Sequence, residues 1–307
     1  MIDTNTLRLF DEIARSGSFT AAAELLGYTQ SAVSRRIAGL EREARGPLFE
    51  RLARGVRLTP AGEALHRHAT AVLDRLERAE EDLAAIHAGL GGTVRVGAFA
   101  TANIELVPKA IRAYATSRPQ VRVRLTEALS GRLFERLGAG ALDVAVVSDY
   151  PSGLVSGDAE LVELIEDQLL VALPADHPLA GRERLDLAEL AGESWIEAAP
   201  RGQPTQLLAA CAAAGFTPRS GPRVAEWSGK FGFVAAGLGL TLVPRLAARA
   251  VPADVVTRPL TRGPVRRVYA ALPERPLPAA LELVAELERA AAGLREQGPD
   301  GSDFLGQ

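Results

Sequence analysis

Residues Ser18 to Pro60 run SFTAAAELLGYTQSAVSRRIAGLEREARGPLFERLARGVRLTP, and their spacing decides the fold of this end of the chain. Ser18 is a helix N-cap residue, and Phe19, Ala22, Ala23 and Leu26 follow it at helical intervals. Gly27 suits the left-handed position that closes such a helix. Thr29 then caps a second helix, whose inward stripe is Val33, Ile37 and Leu40. Upstream, Phe10 and Ile13 mark the apolar side of a first helix ending near Gly17, and the basic run to Leu58 predicts a hairpin. The pattern is a helix-turn-helix with a wing, which sets one helix in the major groove of DNA. An alanine-rich helix pair serving only as a core fits the same spacing. The polar residues separate the two: Gln30, Ser31, Ser34 and Arg35 are the chemistry that contacts base edges, and Arg36 and Arg54 suit phosphates.

Charge is placed accordingly. The 307-residue chain carries a net charge of only −3, which argues against unspecific coating of nucleic acid or membrane. Between Tyr28 and Leu58, however, Arg35, Arg36, Arg42, Arg45, Arg51, Arg54 and Arg57 face only Glu41, Glu43 and Glu50. A basic patch on a neutral chain is the footprint of a small DNA-reading module.

After Pro60 a helical pattern continues to about Ala88, with Leu65, Ala69, Val72, Leu76, Ala79, Leu83, Ile86 and Leu90 at alternating steps of four and three. Such heptad spacing makes one narrow apolar seam, which asks for a partner helix or a covering domain of its own chain. His66 and His68 are not one helical turn apart, so this segment offers no metal site. Cys211, the single cysteine, excludes an intrachain disulfide and lies among alanines and leucines as a buried hydrophobe. No basic-then-apolar leader opens the sequence and no apolar run reaches spanning length, so a cytoplasmic protein is expected, with no membrane partner.

Beyond Leu90-Gly91-Gly92, strands alternate with helices, which predicts an α/β unit with mainly parallel sheets. One set runs through strands 93–98, 121–126 and 142–147 with helices 104–116 and 132–137; a second begins near Gln168 and includes a strand at 223–226. Two sets imply two lobes with a cleft. Ligands in such sheets sit beyond the carboxyl ends of strands, near helix N-termini that favour anions. Thr101, Asn103, Ser130 and Ser148 hold such places in the first set, and Arg201, Gln203, Trp227 and Lys230 in the second. Each hydroxyl taken singly reads first as an ordinary cap, and Trp227 equally as core or pocket wall. An organic acid or similar anion is the expected ligand.

The segment Thr29–Ile37, with Leu40-Glu41, Leu48-Phe49-Glu50-Arg51 and Leu58-Thr59-Pro60-Ala61-Gly62, resembles the N-terminal signature of LysR-type transcriptional regulators. Leu142-Asp143-Val144-Ala145, Asp176-His177-Pro178-Leu179 and Ala235-Ala236-Gly237-Leu238-Gly239 are similar to the effector domain of that family. The resemblance implies an α/β protein overall: a winged helix-turn-helix over 1–60, a linker and dimerisation helix over 61–90, and a periplasmic-binding-protein-like, two-lobed effector domain over 91–297. Lobe I would hold 91–167 and 265–297 and lobe II 168–264, with a loose tail at 298–307. It further implies a sequence-specific DNA-binding regulator, with double-stranded operator DNA and a small-molecule effector as partners. Homodimers or homotetramers follow, RNA polymerase is a further partner the family allows, and neither cofactor nor metal is needed. One departure stands out: Ala44-Arg45 occupies the place of the family's usual apolar residue and glycine.

Three other classes compete. A small-molecule enzyme with a helical extension lacks support, because no Gly-x-Ser-x-Gly elbow is present and Gly89-Leu90-Gly91-Gly92 precedes a strand instead of following one. A solute-binding protein does not need the helix-turn-helix. An architectural DNA binder does not need a two-lobed cleft.

Overall fold

A computed structural model of the chain describes residues 2–52, 55–87, 91–149, 159–197 and 205–296. Two compact units emerge: Met1–Leu90 with Ala139–Ala141, and Gly91–Gly138 with Leu142–Gln307.

The first unit opens with α1 (Thr4–Ser16), α2 (Phe19–Leu26) and α3 (Gln30–Glu43). Each cap is filled as the residue types require. Asp3, Ser18 and Thr29 accept from the backbone N–H groups of Thr6, Ala21 and Ala32, and Gly17 and Gly27 close α1 and α2 in the left-handed region. Phe10, Ile13, Ala22, Ala23, Val33 and Ile37 meet in one apolar core. The wing follows as β1 (Phe49–Arg51) and β2 (Val56–Leu58), paired antiparallel. Its root is tied to the end of α1 by a backbone bond, Val56 N–H donating to the Gly17 carbonyl at 2.9 Å, and by the Phe10 and Phe49 rings, whose centres are 5.2 Å apart. A Cβ at Gly55 would fall 2.6 Å from that same oxygen.

Helix α4 (Pro60–His87) has 28 residues, about 42 Å at 1.5 Å per residue. Its apolar seam divides in two. Leu65 and Ala69 turn into the core of their own unit together with Leu73, and His66 Nε2 meets Asp11 Oδ1 of α1 at 2.9 Å. Val72, Ala79 and Leu83 remain exposed. The amino-terminal half of α4 therefore belongs to the head because α1 lies across it. Leu90 and the side chain of Ile86 lie outside the described residues.

The second unit contains β3 (Thr93–Ala98), α5 (Leu106–Ser117), β4 (Arg122–Glu127), α6 (Ser130–Gly138) and β5 (Val144–Ser148). The 15-residue strand β6 (Glu160–Pro174) follows, then β7 (Ser194–Glu197), α7 (Gln206–Ala213), β8 (Arg219–Arg223), α8 (Trp227–Ala235), β9 (Thr241–Pro244) and β10 (Val255–Pro259). Strand β11 (Val265–Leu272) and helix α9 (Pro278–Glu296) complete it. Strands β4, β3 and β5 are parallel, whereas β11 joins β5 antiparallel. Strand β6 serves both lobes. Up to Gln168 it pairs with β11, and from Leu169 it pairs with β9 and β10, all antiparallel.

Two expectations need correction. The sheets are not mainly parallel, because a strand crossing between lobes and its returning partner run in opposite directions. The strand expected at 223–226 is β8 at Arg219–Arg223, where Gly221-Pro222 reads as a turn. Glycine is required there by proximity: a Cβ at Gly221 would stand 2.8 Å from the Trp195 carbonyl of parallel β7.

Candidate DNA interface and effector site

Burying Val33, Ile37 and Leu40 turns the rest of α3 outward. Gln30, Ser31 and Arg35 are exposed and Ser34 is half-buried. Gln30 Nε2 donates to Ser34 Oγ at 3.0 Å, Ser31 Oγ lies 3.2 Å from Thr29 Oγ1, and Arg35 Nε reaches back to the Ser31 carbonyl at 3.4 Å. These are weak, local contacts that leave donors and acceptors for base edges. Arg36 falls elsewhere. At 100° per residue it sits across the buried stripe from Ser31 and Ser34, its guanidinium 5.3 Å from the Tyr28 ring centre, which suits a phosphate better than a base. In the wing, Arg57 is paired with Glu50 at 2.9 Å, and Arg54 lies outside the described residues.

The departure after α3 now has a geometry. Arg45 adopts φ +57°, the only non-glycine positive φ among the described residues, and Gly46 N–H donates to the Glu41 carbonyl at 3.0 Å. The helix keeps its left-handed closure, with an arginine doing the glycine's task.

In the effector unit the predicted residues separate. Thr101 does not open a helix; α5 begins at Leu106, and Thr101 is buried, with Oγ1 accepting from Arg266 Nη2 at 2.6 Å. Asn103 donates to Glu127 Oε2 at 2.9 Å, and its buried Oδ1 has no hydrogen-bond partner among the described residues. The Ser130 hydroxyl accepts from the Ser148 backbone N–H at 3.0 Å, so these two do come together, at the carboxyl ends of β4 and β5. Arg201 and Gln203 lie outside the described residues. Trp227 and Lys230 meet: the ammonium stands 4.2 Å from the Trp227 ring centre, and Lys230 is 9% exposed. Burial lowers its pKa below the ordinary lysine value, and the nearby charge of Glu197 opposes that only in part. Trp227 packs against a core cluster that Ile104, next to Asn103, also joins.

Sequence reasoning missed a polar junction where β6 changes partners. Arg266 Nε and Nη2 donate to Asp167 Oδ2 at 2.9 and 2.7 Å, while Asp167 Oδ1 accepts from the Leu246 backbone N–H at 3.0 Å. One carboxylate thus binds the first lobe through β11 and the second through the turn after β9. Burial still raises the Asp167 pKa, with Arg266 working against it. The signal was present, since Arg266 shares a strand face with Val268 and Ala270. A second tie joins the lobes: Arg249 Nη1 donates to Glu105 Oε1 at 2.6 Å, and Lys109 Nζ approaches the same oxygen at 2.7 Å. Burial alone would raise the Glu105 pKa, but those two cations hold it below the usual value. Cys211 is buried, its pKa pushed up to about 11, first by burial and then by Glu197.

Residues 4–63 match the family described as "Bacterial regulatory helix-turn-helix protein, lysR family", and residues 87–292 match "LysR substrate binding domain". The chain belongs to the LysR family. Among relatives of this LysR-type chain, the transcriptional regulator AlsR of Bacillus subtilis is 30% identical over 82% of this chain and 83% of its own length. YybE from the same organism, an uncharacterized HTH-type transcriptional regulator, is 32% identical over 78% and 82%. Full-length CbnR in complex with its target DNA shares the fold, with a TM-score of 0.71 at 24% identity over 94% of this chain and 100% of CbnR. A LysR-type chain is a DNA-binding transcriptional regulator with an effector-binding domain, and not an enzyme. No described helix is long and apolar enough to cross a membrane.

Proposed function

We propose that this regulator reads a two-half-site operator as a homodimer or homotetramer and responds to a small organic anion, working in the cytoplasm. Within that reading, domains span 1–60, 61–90 and 91–297, with lobe II at 168–264 inserted into lobe I and a tail from 298. Gln30, Ser31, Ser34 and Arg35 contact bases, and Arg36 and Arg54 contact phosphates. The observation that carries this is the outer face of α3, whose polar groups make only local bonds beside a fully apolar inner face. A single head reads too few base pairs for useful specificity, and the exposed half of the α4 seam supplies a surface for a second copy. The effector acts by preferring one lobe arrangement; equal affinity for two arrangements would shift nothing.

The test is a gel-shift titration on the fragment upstream of the protein's own gene at rising salt, with unrelated DNA as competitor. Sequence-preferring retention is expected; equal loss of both fragments overturns the reading. Changing Val72 and Leu83 to glutamate should yield monomers by sedimentation, whereas an unchanged dimer shows that copies meet elsewhere.

A further inference from the structure

Helix α8 ends blind at its amino terminus. Its cap residue, Glu226, makes no side-chain hydrogen bond to the first turn, so the positive end of the helix is left without an acceptor from its own cap. Lys230, one turn in, folds back over that end onto the Trp227 ring, as helical side chains do. The result is a cation buried beside the positive end of a helix, an arrangement unfavourable on both counts. Among the described residues the ammonium makes no hydrogen bond and no ion pair. The nearest compensating charge, Glu197 at the end of β7, is beyond ion-pair distance, and its Oε1 is occupied by the Thr205 hydroxyl at 2.7 Å.

We propose that Lys230 and the first turn of α8 form an oxyanion subsite in lobe II, taking a carboxylate or phosphate group of the effector. The assignment rests on the effector reading above and deepens it: the anchor of the ligand's charge is Lys230. Ammonium and helix N–H groups act together there, and charge-assisted hydrogen bonds are the strong kind. Trp227 fixes the ammonium from one side, so the oxyanion approaches from the helix end. Glu197, whose charge acts on Lys230, favours ligands with one compact anionic group over polyanions.

The test uses the full chain with acetate, benzoate and inorganic phosphate as probes and benzamide as the uncharged control, read by thermal shift and calorimetry. At least one anion should raise the Tm of the wild type while benzamide does not. Lys230→Met should weaken that anion at least about tenfold, the loss of one charged hydrogen bond, and Lys230→Arg should restore part of it. Circular dichroism shows that each variant is folded. A folded Lys230→Met that responds like the wild type overturns the subsite, as does a wild type stabilised by none of the three. A carboxylate-only or phosphate-only response identifies the group. Operator binding by the wild type, measured in parallel, fails only if the regulator reading itself is wrong.

Discussion

The two units treat charge in opposite ways. Among the described residues of the head, the buried polar side chains are Thr6 and Thr59, and no charged residue is buried. The effector unit buries Arg95, Glu105, Asp143, Asp167, Lys230, Arg266 and Glu286. An apolar interior makes the head a rigid mount, with no described cation buried in it. Buried charges hold a structure only while their partners stay in place, so the effector unit depends on its ion pairs in a way the head does not.

The sharpest way to break this contrast is to remove one partner of the junction. Asp167→Ala strands Arg266 in the interior and should cost about 3–5 kcal/mol in denaturant unfolding of the full chain. A loss under about 1 kcal/mol would mean that water already reaches the junction. In the head the equivalent change should act on DNA instead. Arg35→Ala is expected to weaken operator binding by about 1–3 kcal/mol with relaxed sequence preference, and to leave unfolding within about 0.5 kcal/mol. Arg36→Ala should lower affinity evenly across sequences and reduce the salt slope by about 1.

A smaller effect tests the backbone of the head. Arg45→Gly relieves a left-handed arginine and should raise its stability by about 1 kcal/mol, with unchanged operator preference. The smallest effect is a pH dependence. Lys230 has its pKa lowered by burial, so the cost of its charge is in force at neutral pH and is relieved as the ammonium loses its proton. The wild type should therefore gain stability relative to Lys230→Met as pH rises toward 10.5, the ordinary lysine value. Parallel pH profiles of the two proteins would remove the argument.

The head was legible almost residue by residue because its determinants are local. Ser18, Gly27 and Thr29 act on neighbours within one turn, and the stripe Val33–Leu40 needs only helical spacing. In the effector unit, short-range signals located several strands, including β3 with both ends as expected, but they could not show pairing. Gly221-Pro222 carries turn chemistry and is a strand because β7 lies against it. Asp167 and Arg266 are 99 residues apart and acquire meaning only when the register of β6 and β11 sets them side by side. The seam of α4 was found as a period, yet the period could not say that Leu65 and Ala69 would be claimed by α1.

The junction of Gly17 and Gly55 bears on how such a head changes over generations. The wing is attached to the first helix by a carbonyl oxygen with no room for a Cβ beside it, and both glycines have positive φ. Side chains on α3 and along the wing can therefore be exchanged without moving the frame that presents them. The two glycines cannot drift in the same way: a new target sequence is reached by rewriting the face of the head, never its hinge.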